Sequence, residues 1–233
     1  MIVSVDIADV GLRRGASVLA RPPKPQQVEG LRYAETVFAA PLGSNSPAPE
    51  FGTVALIAAW DDDAALDRFA SHPLAQRLSH GWQVRLEPLR VFGAWPGLEG
   101  LPQRPLPVDD EEPVAVITLG RVKPWRVRPF LRASAPAERA VLDEPDLLAS
   151  TGFGRLPDLV STFSLWRTAA GMRDYANRQG GAHRTAVAKD RAHPFHRRSA
   201  FIRFRPYATR GNWGGRNPLP LAERAQPSAV RST

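Results

Sequence analysis

This chain carries an internal duplication. Residues 84–97 (VRLEPLRVFGAWPG) align without gaps on residues 202–215 (IRFRPYATRGNWGG), with identities at Arg85/Arg203, Pro88/Pro206, Gly93/Gly211, Trp95/Trp213 and Gly97/Gly215. Upstream, AAWDDDAALDRFA (58–70) matches SLWRTAAGMRDYA (164–176), pairing Trp60 with Trp166, Ala64 with Ala170, Leu66 with Met172 and Phe69 with Tyr175. Any fold must therefore accommodate one unit twice, and function is sought where the copies differ. Between Trp60 and Trp95 lie 34 residues, but 46 lie between Trp166 and Trp213, and the longer segment contains GGAHRT.

Each copy opens on an alternating apolar strand, IVSVDI (2–7) and AVITLG (115–120). In the first copy the Pro-rich RPPKPQQVEG (21–30) makes the following segment irregular. In the second, PWRVRPFLRAS (124–134) predicts a helix with Pro124 at its start. A strand near 33–40, a loop at 41–52 and a central strand at 53–60 come next, answered by 147–154 and 159–166. Helices follow over 61–70 and 168–178, where apolar residues recur at helical spacing. Each copy closes on a strand, QVRLEPL or FIRFRPY, and a Gly-x-Trp-x-Gly turn.

Strand, helix, strand, strand, helix, strand is the ferredoxin-like unit. Two in tandem predict an α+β fold in which the repeats form an intramolecular dimeric α+β barrel, with room between sheet and helices for a planar or apolar ligand. The expected divisions are a first repeat over 1–97, a linker over 98–113, a second repeat over 114–218 and a disordered tail over 219–233.

Composition narrows the chemistry. The 233 residues are 43% hydrophobic, enough to close a core, and contain no cysteine, which removes disulfides, iron–sulfur clusters and thiolate ligands. The net charge is +8, but the cations are almost all scattered Arg, with only Lys24, Lys123 and Lys189. No stacking-aromatic or helix-turn-helix pattern accompanies them, so nucleic acid is not the expected partner. No apolar run is long enough to span a bilayer and the N-terminus lacks signal features, so a cytoplasmic protein is expected. Walker, Rossmann, HExxH and G-x-S-x-G signatures are missing.

The strings FGRLPDLVSTFSLWRT (153–168), YANRQGGAH (175–183) and FIRFRPYATRGNWGGRNP (201–218) resemble the spheroidene monooxygenase family of carotenoid-modifying, haem-containing oxygenases. TVALIAAW and LEPLRVFGAWPG of the first copy resemble it too, so the likeness extends over roughly residues 2–218. The resemblance implies haem b, O2-dependent oxygen insertion into a hydrophobic polyene, a ferredoxin-like electron donor and peripheral contact with a membrane.

Without cysteine, imidazole is the leading axial donor, and five histidines compete: His72, His80, His183, His193 and His196. His183 follows the flexible Gly180-Gly181 turn in the segment unique to the second copy, and the resemblance favours it as the ligand; alternatively it is a capping or solvent-facing residue. His193 and His196, in H-P-F-H, read as a surface turn because Pro194 disrupts a helix. His72 and His80 read as exposed helix residues, with Ser71 as N-cap. Haem propionates call for Arg, and Arg173, Arg178, Arg184, Arg203 and Arg205 lie in the second copy. Arg155 and Arg167 are candidates for distal, catalytic roles. Trp166 could stack on the cofactor, although its twin Trp60 argues for a structural role. Two other readings remain: a non-catalytic protein binding haem or an apolar ligand, and another haem enzyme such as a dehydratase, peroxidase or haem-degrading enzyme.

Overall fold

The structure is a computed structural model that describes residues 1–42, 50–178, 195–219 and 221. Its first half runs β1 (Ile2–Asp9), α1 (Leu12–Ala20), β2 (Leu31–Ala40), β3 (Glu50–Trp60), α2 (Asp63–Phe69), α3 (Pro73–Leu78) and β4 (Trp82–Gly93). The second runs β5 (Val114–Val122), a 3-10 turn (Pro124–Arg126), α4 (Val127–Leu142), β6 (Leu147–Arg155), β7 (Leu159–Trp166), α5 (Ala169–Asn177) and β8 (His196–Gly211).

The eight strands close into one antiparallel barrel in the order β1-β3-β2-β6-β7-β5-β8-β4. Read from β4, the first half is β4-β1-β3-β2; read from β8, the second is β8-β5-β7-β6, the same order repeated. Two seams join the halves. One is short, pairing Phe38 with Gly154, Ala39 with Phe153 and Ala40 with Gly152. The other runs the length of β4 and β8, from Trp82 opposite Gly211 to Gly93 opposite Ala200. The duplicated glycines sit at the ends of this long seam with φ of 84° and 71°. A Cβ there would lie 2.3 Å from the Ser199 carbonyl oxygen at Gly93 and 1.9 Å from that of Gly81 at Gly211. The identity at this position is thus imposed by backbone geometry.

Alternation along each strand sends one set of side chains into the lumen: Val3, Val5 and Ile7 on β1, Ile57 on β3, Leu86 on β4, Ile117 on β5, Phe163 on β7, Phe204 on β8. Trp82 fills the axis against Phe163 (6.0 Å) and Trp213 (5.7 Å). The lumen is a packed core, as expected of eight strands. Outer faces are covered by helices, and α2 and α5 start alike: Asp62 accepts from the Ala65 amide at 2.8 Å and Thr168 from the Gly171 amide at 3.0 Å.

Several local expectations are corrected. The helix of the first half lies at Leu12–Ala20, ahead of the Pro-rich stretch, and β3 starts at Glu50 inside the expected loop. The helix expected over 124–134 continues to Leu142 through Pro136. The N-cap of α3 is His72, whose Nδ1 accepts from the Leu74 amide at 3.1 Å while its ring stacks on Phe69 at 4.6 Å. Ser71 instead donates to the Arg68 carbonyl. His196 is not in a surface turn but opens β8, half-buried.

Candidate functional site

The two halves diverge on the outer faces of their sheets. Trp60 lies opposite Ile2 and Trp166 opposite Val114, which fixes the correspondence of Leu56 with Thr162, Ala58 with Ser164 and Ala8 with Gly120. In the first half the β3 part of this floor is apolar and sealed: Val54, Leu56, Ala58 and Trp60 pack under Val18, Leu66 and Phe69, while Ser4 and Asp6 of β1 and Gln83 of β4 bury polar groups beside it. Helix α1 lies flat on β3, so close that a Cβ on Gly15 would stand 2.0 Å from the Phe51 carbonyl oxygen. In the second half Thr162, Ser164 and Gly120 take the places of Leu56, Ala58 and Ala8, Val160 and Trp166 keep those of Val54 and Trp60, and a cluster of buried apolar residues lies around Val114, Val116, Trp166, Ala169, Met172 and Val141. Of the sixteen residues of α4 only Val141 is buried; Phe130, Leu131, Ser134 and Ala137 are half-buried, and the helix meets the sheet chiefly at β6. Ser150, opposite Ser164 on this floor, has a buried hydroxyl without a partner.

At the far end of the floor His196 lies over Gly120. A Cβ on Gly120 would come within 2.7 Å of the imidazole Cδ2 and 2.8 Å of Nε2, and Phe130 of α4 meets the ring edge-on at 5.0 Å. Sequence reasoning passed over this histidine. Its signals were the alternation of 196–207, which continues the strand upstream, and a glycine where the first copy has Ala8.

The site residues singled out from sequence fall in different places. His183, Gly180, Gly181 and Arg184 lie outside the described residues, as does His193. Trp166 is buried in the outer core, its indole N–H donated to the Ser164 hydroxyl at 2.9 Å, with Tyr175 5.4 Å away. Tyr175 donates to the Ala137 carbonyl at 3.0 Å, tying α5 to α4, and burial raises its hydroxyl pKa to about 12. Arg173 pairs with Asp110, Arg178 with Glu144 (2.7 Å), and Arg205 with both Glu112 (2.8 Å) and Glu87 (2.7 Å). Arg167 is exposed at the Trp166 end of β7, 3.9 Å from Asp146.

Arg155 occupies the opposite end of β6 and faces the barrel interior. It donates to the Thr36 hydroxyl at 2.9 Å and pairs with Glu35 at 3.3 Å. Glu35 also holds Arg121 (3.1 Å), which bridges to Asp158 (2.9 Å), itself paired with Arg197. Burial outweighs these cations and raises the Glu35 pKa. Tyr33, whose hydroxyl accepts from the Trp95 indole at 3.0 Å, is raised by burial and by Glu35. Trp95 and Arg198 line an adjoining pocket of about 280 Å³ at this barrel mouth. The structure thus separates Arg155 from Trp166, Arg167 and Arg173, which gather at the other end.

No protein-family model matches this chain. It is 30% identical over 181 residues to the spheroidene monooxygenase of Rhodobacter capsulatus, covering 75% of each chain. To that of Cereibacter sphaeroides it is 30% identical over 190 residues, 78% of this chain but 58% of the relative's length. Among solved structures, an aldoxime dehydratase in complex with butyraldoxime aligns with a TM-score of 0.51 at 10% identity, over 88% of this chain and 79% of that one, a likeness of fold. The identity to the Rhodobacter protein runs through three quarters of both chains, and on that ground the chain belongs to the spheroidene monooxygenase family.

Proposed function

We propose that this protein is a haem-dependent monooxygenase that inserts oxygen into a long apolar, carotenoid-like substrate on the outer face of the β5–β8 half of the barrel, beneath α4. The observation that carries this reading is a contrast at four matched positions: Leu56, Ala58, Ala34 and Ala8 in the first half answer to Thr162, Ser164, Ser150 and Gly120 under the half-buried face of α4. The family of the chain supplies the chemistry.

The residues present suit a haem. With no cysteine in the chain, imidazole is the leading donor, and Gly120, where the first half carries Ala8, makes room on the floor for the His196 ring. His183 is the proposed axial ligand, with Gly180 and Gly181 allowing close approach, and Arg184 and Arg173 are proposed for the propionates. His196 faces the same floor from β8 and is the second imidazole to test. When bound, haem would supply a redox-active iron able to activate O2.

The chain's own contribution is binding and exclusion of water. Phe130 and Leu131, half-buried on α4, provide apolar surface for a polyene, while Tyr175 braces α5 against α4. Arg155 and Arg167 are the proposed distal groups. Arg167, exposed beside Trp166, is the better placed for this floor, since Arg155 faces the interior. A ferredoxin-like donor is proposed as partner, to which a net charge of +8 is complementary if that donor is acidic.

The test is reconstitution with hemin followed by oxidised, reduced and CO-bound spectra of the wild type, His183→Ala and His196→Ala. A stoichiometric Soret band lost in His183→Ala and kept in His196→Ala supports the assignment, and reductant-dependent O2 uptake with a carotenoid in detergent supports the oxygenase. No haem uptake overturns it, and uptake without O2 consumption leaves a haem-binding protein.

A further inference from the structure

Arg85 and Arg203 are twins in register as well as in sequence: Arg85 pairs across to Ser4 of β1, Arg203 to Val116 of β5, the equivalent position. In the first half Arg85 is held by two carboxylates on α2, Asp63 at 2.6 Å and Asp67. The matching positions on α5 are Ala169 and Arg173. One carboxylate has become a methyl group and the other a cation. The residue across the long seam has changed in the same sense, because Arg85 lies opposite Ala208 whereas Arg203 lies opposite Arg90. Residues directly opposite on one sheet face have Cβ atoms about 5 Å apart, so two guanidinium side chains emerge together.

Nothing among the described residues neutralises them. The Nε atoms of both Arg90 and Arg203 are buried without an acceptor. Burial, then the charges of Arg173 and Arg90, lower the Arg203 pKa, whereas the Arg85 pKa is raised despite burial by its two aspartates. The carboxylates nearby are engaged elsewhere, Asp110 by Arg173 and both Glu87 and Glu112 by Arg205. Arg90 is braced from below by Phe92, whose ring centroid lies 3.8 Å from the guanidinium carbon.

We infer that Arg90, Arg203 and Arg173 form an oxyanion site on the outside of the β4–β8 seam, which takes the carboxylate or phosphate group of a ligand. The planar guanidinium fork suits such groups, and a ligand anion would stand where Asp63 and Asp67 stand in the other half. The site is assembled from both copies, β4 of the first and β8 and α5 of the second. It does not depend on the haem reading, although a haem carboxylate is one source of the anion and a free phosphate or carboxylate ligand is the other.

The experiment is a thermal-shift titration of the haem-free protein with inorganic phosphate, against chloride at equal ionic strength, for the wild type, Arg203→Gln, Arg90→Gln and Arg85→Gln. Phosphate should raise the melting temperature of the wild type beyond chloride, with apparent affinity at least tenfold weaker in Arg203→Gln and Arg90→Gln. Arg85→Gln should melt lower yet keep the phosphate response, and without phosphate the other two should melt no lower than wild type. Hemin and hemin dimethyl ester identify the source. A phosphate response abolished by hemin but not by the diester assigns the site to the cofactor's carboxylate, and one that survives both assigns it to a separate anion. A protein that takes no haem but responds to phosphate through Arg203 upholds this site and defeats the haem reading. The inference is overturned if phosphate stabilises Arg203→Gln and Arg90→Gln as much as wild type. It also fails if phosphate stabilises none of them beyond chloride while hemin affinity is unchanged by both substitutions.

Discussion

Replacing Asp6 by Asn should stabilise this protein at neutral pH. Asp6 sits on β1 between Gln83 of β4 and Leu56 of β3, buried on the outer face of the first half. Its carboxylate accepts from the Gln83 amide and from the Ser4 hydroxyl at 3.3 Å, and Ser4 in turn accepts from the Trp60 indole at 3.0 Å. These bonds, with Arg210 and Arg85 at a distance, do not offset burial, which pushes the Asp6 pKa from 3.8 up to about 6. A shift of that size corresponds to about 3 kcal/mol. The folded state holds the proton more tightly than the unfolded chain. The contribution of Asp6 to stability is therefore most favourable below pH 4, falls as pH rises from about 4 to about 6, and carries the full penalty above that. Asn keeps the acceptor for Gln83 and can donate to Ser4 without being ionised. The variant should thus gain about 2–3 kcal/mol at pH 7.5 and converge on the wild type near pH 4, read by urea unfolding monitored through tryptophan fluorescence. An Asp6→Asn protein no more stable than wild type at pH 7.5, or a difference independent of pH, would show that burying the Asp6 carboxylate carries no such penalty.

Exchanging residues between the two floors should have opposite costs. Leu56→Thr opens a sealed apolar layer and buries a hydroxyl, costing about 3 kcal/mol, while Thr162→Leu should change unfolding free energy by less than about 1 kcal/mol. Gly93→Ala forces a Cβ to 2.3 Å from the Ser199 carbonyl at positive φ and should cost about 2 kcal/mol or more, seen as a fall in melting temperature. Tyr175→Phe removes the 3.0 Å bond that ties α5 to α4 and should cost about 1 kcal/mol by denaturant unfolding.

Much of the barrel was legible because duplication doubles each signal. A single Gly-x-Trp-x-Gly is weak, but its recurrence after the same strand pattern marked the ends of β4 and β8. What escaped was local and had physical causes. Helix α1 carries Gly15, a poor helix former that is required where the helix touches β3, and three prolines follow closely, so the segment reads as irregular. His72 was passed over as a cap because Ser71 has the commoner side chain for it. The floor was harder still. Thr162 and Ser164 fit any strand, and their meaning emerges only when the pairing of Trp166 with Val114 sets them against Leu56 and Ala58. Arg90 was invisible for a similar reason: its partner Arg203 is 113 positions away, brought opposite by a seam with bulges on both sides.

On the function proposed above, the second floor, under α4, is the binding surface and the first is structural core. Hemin titration followed at the Soret band, with wild type beside Thr162→Leu, tests it most directly. The wild type should bind one equivalent, and Thr162→Leu, still folded, should bind at least tenfold more weakly because the leucine fills the floor. Undiminished binding by Thr162→Leu, or none by the wild type, would contradict the claim.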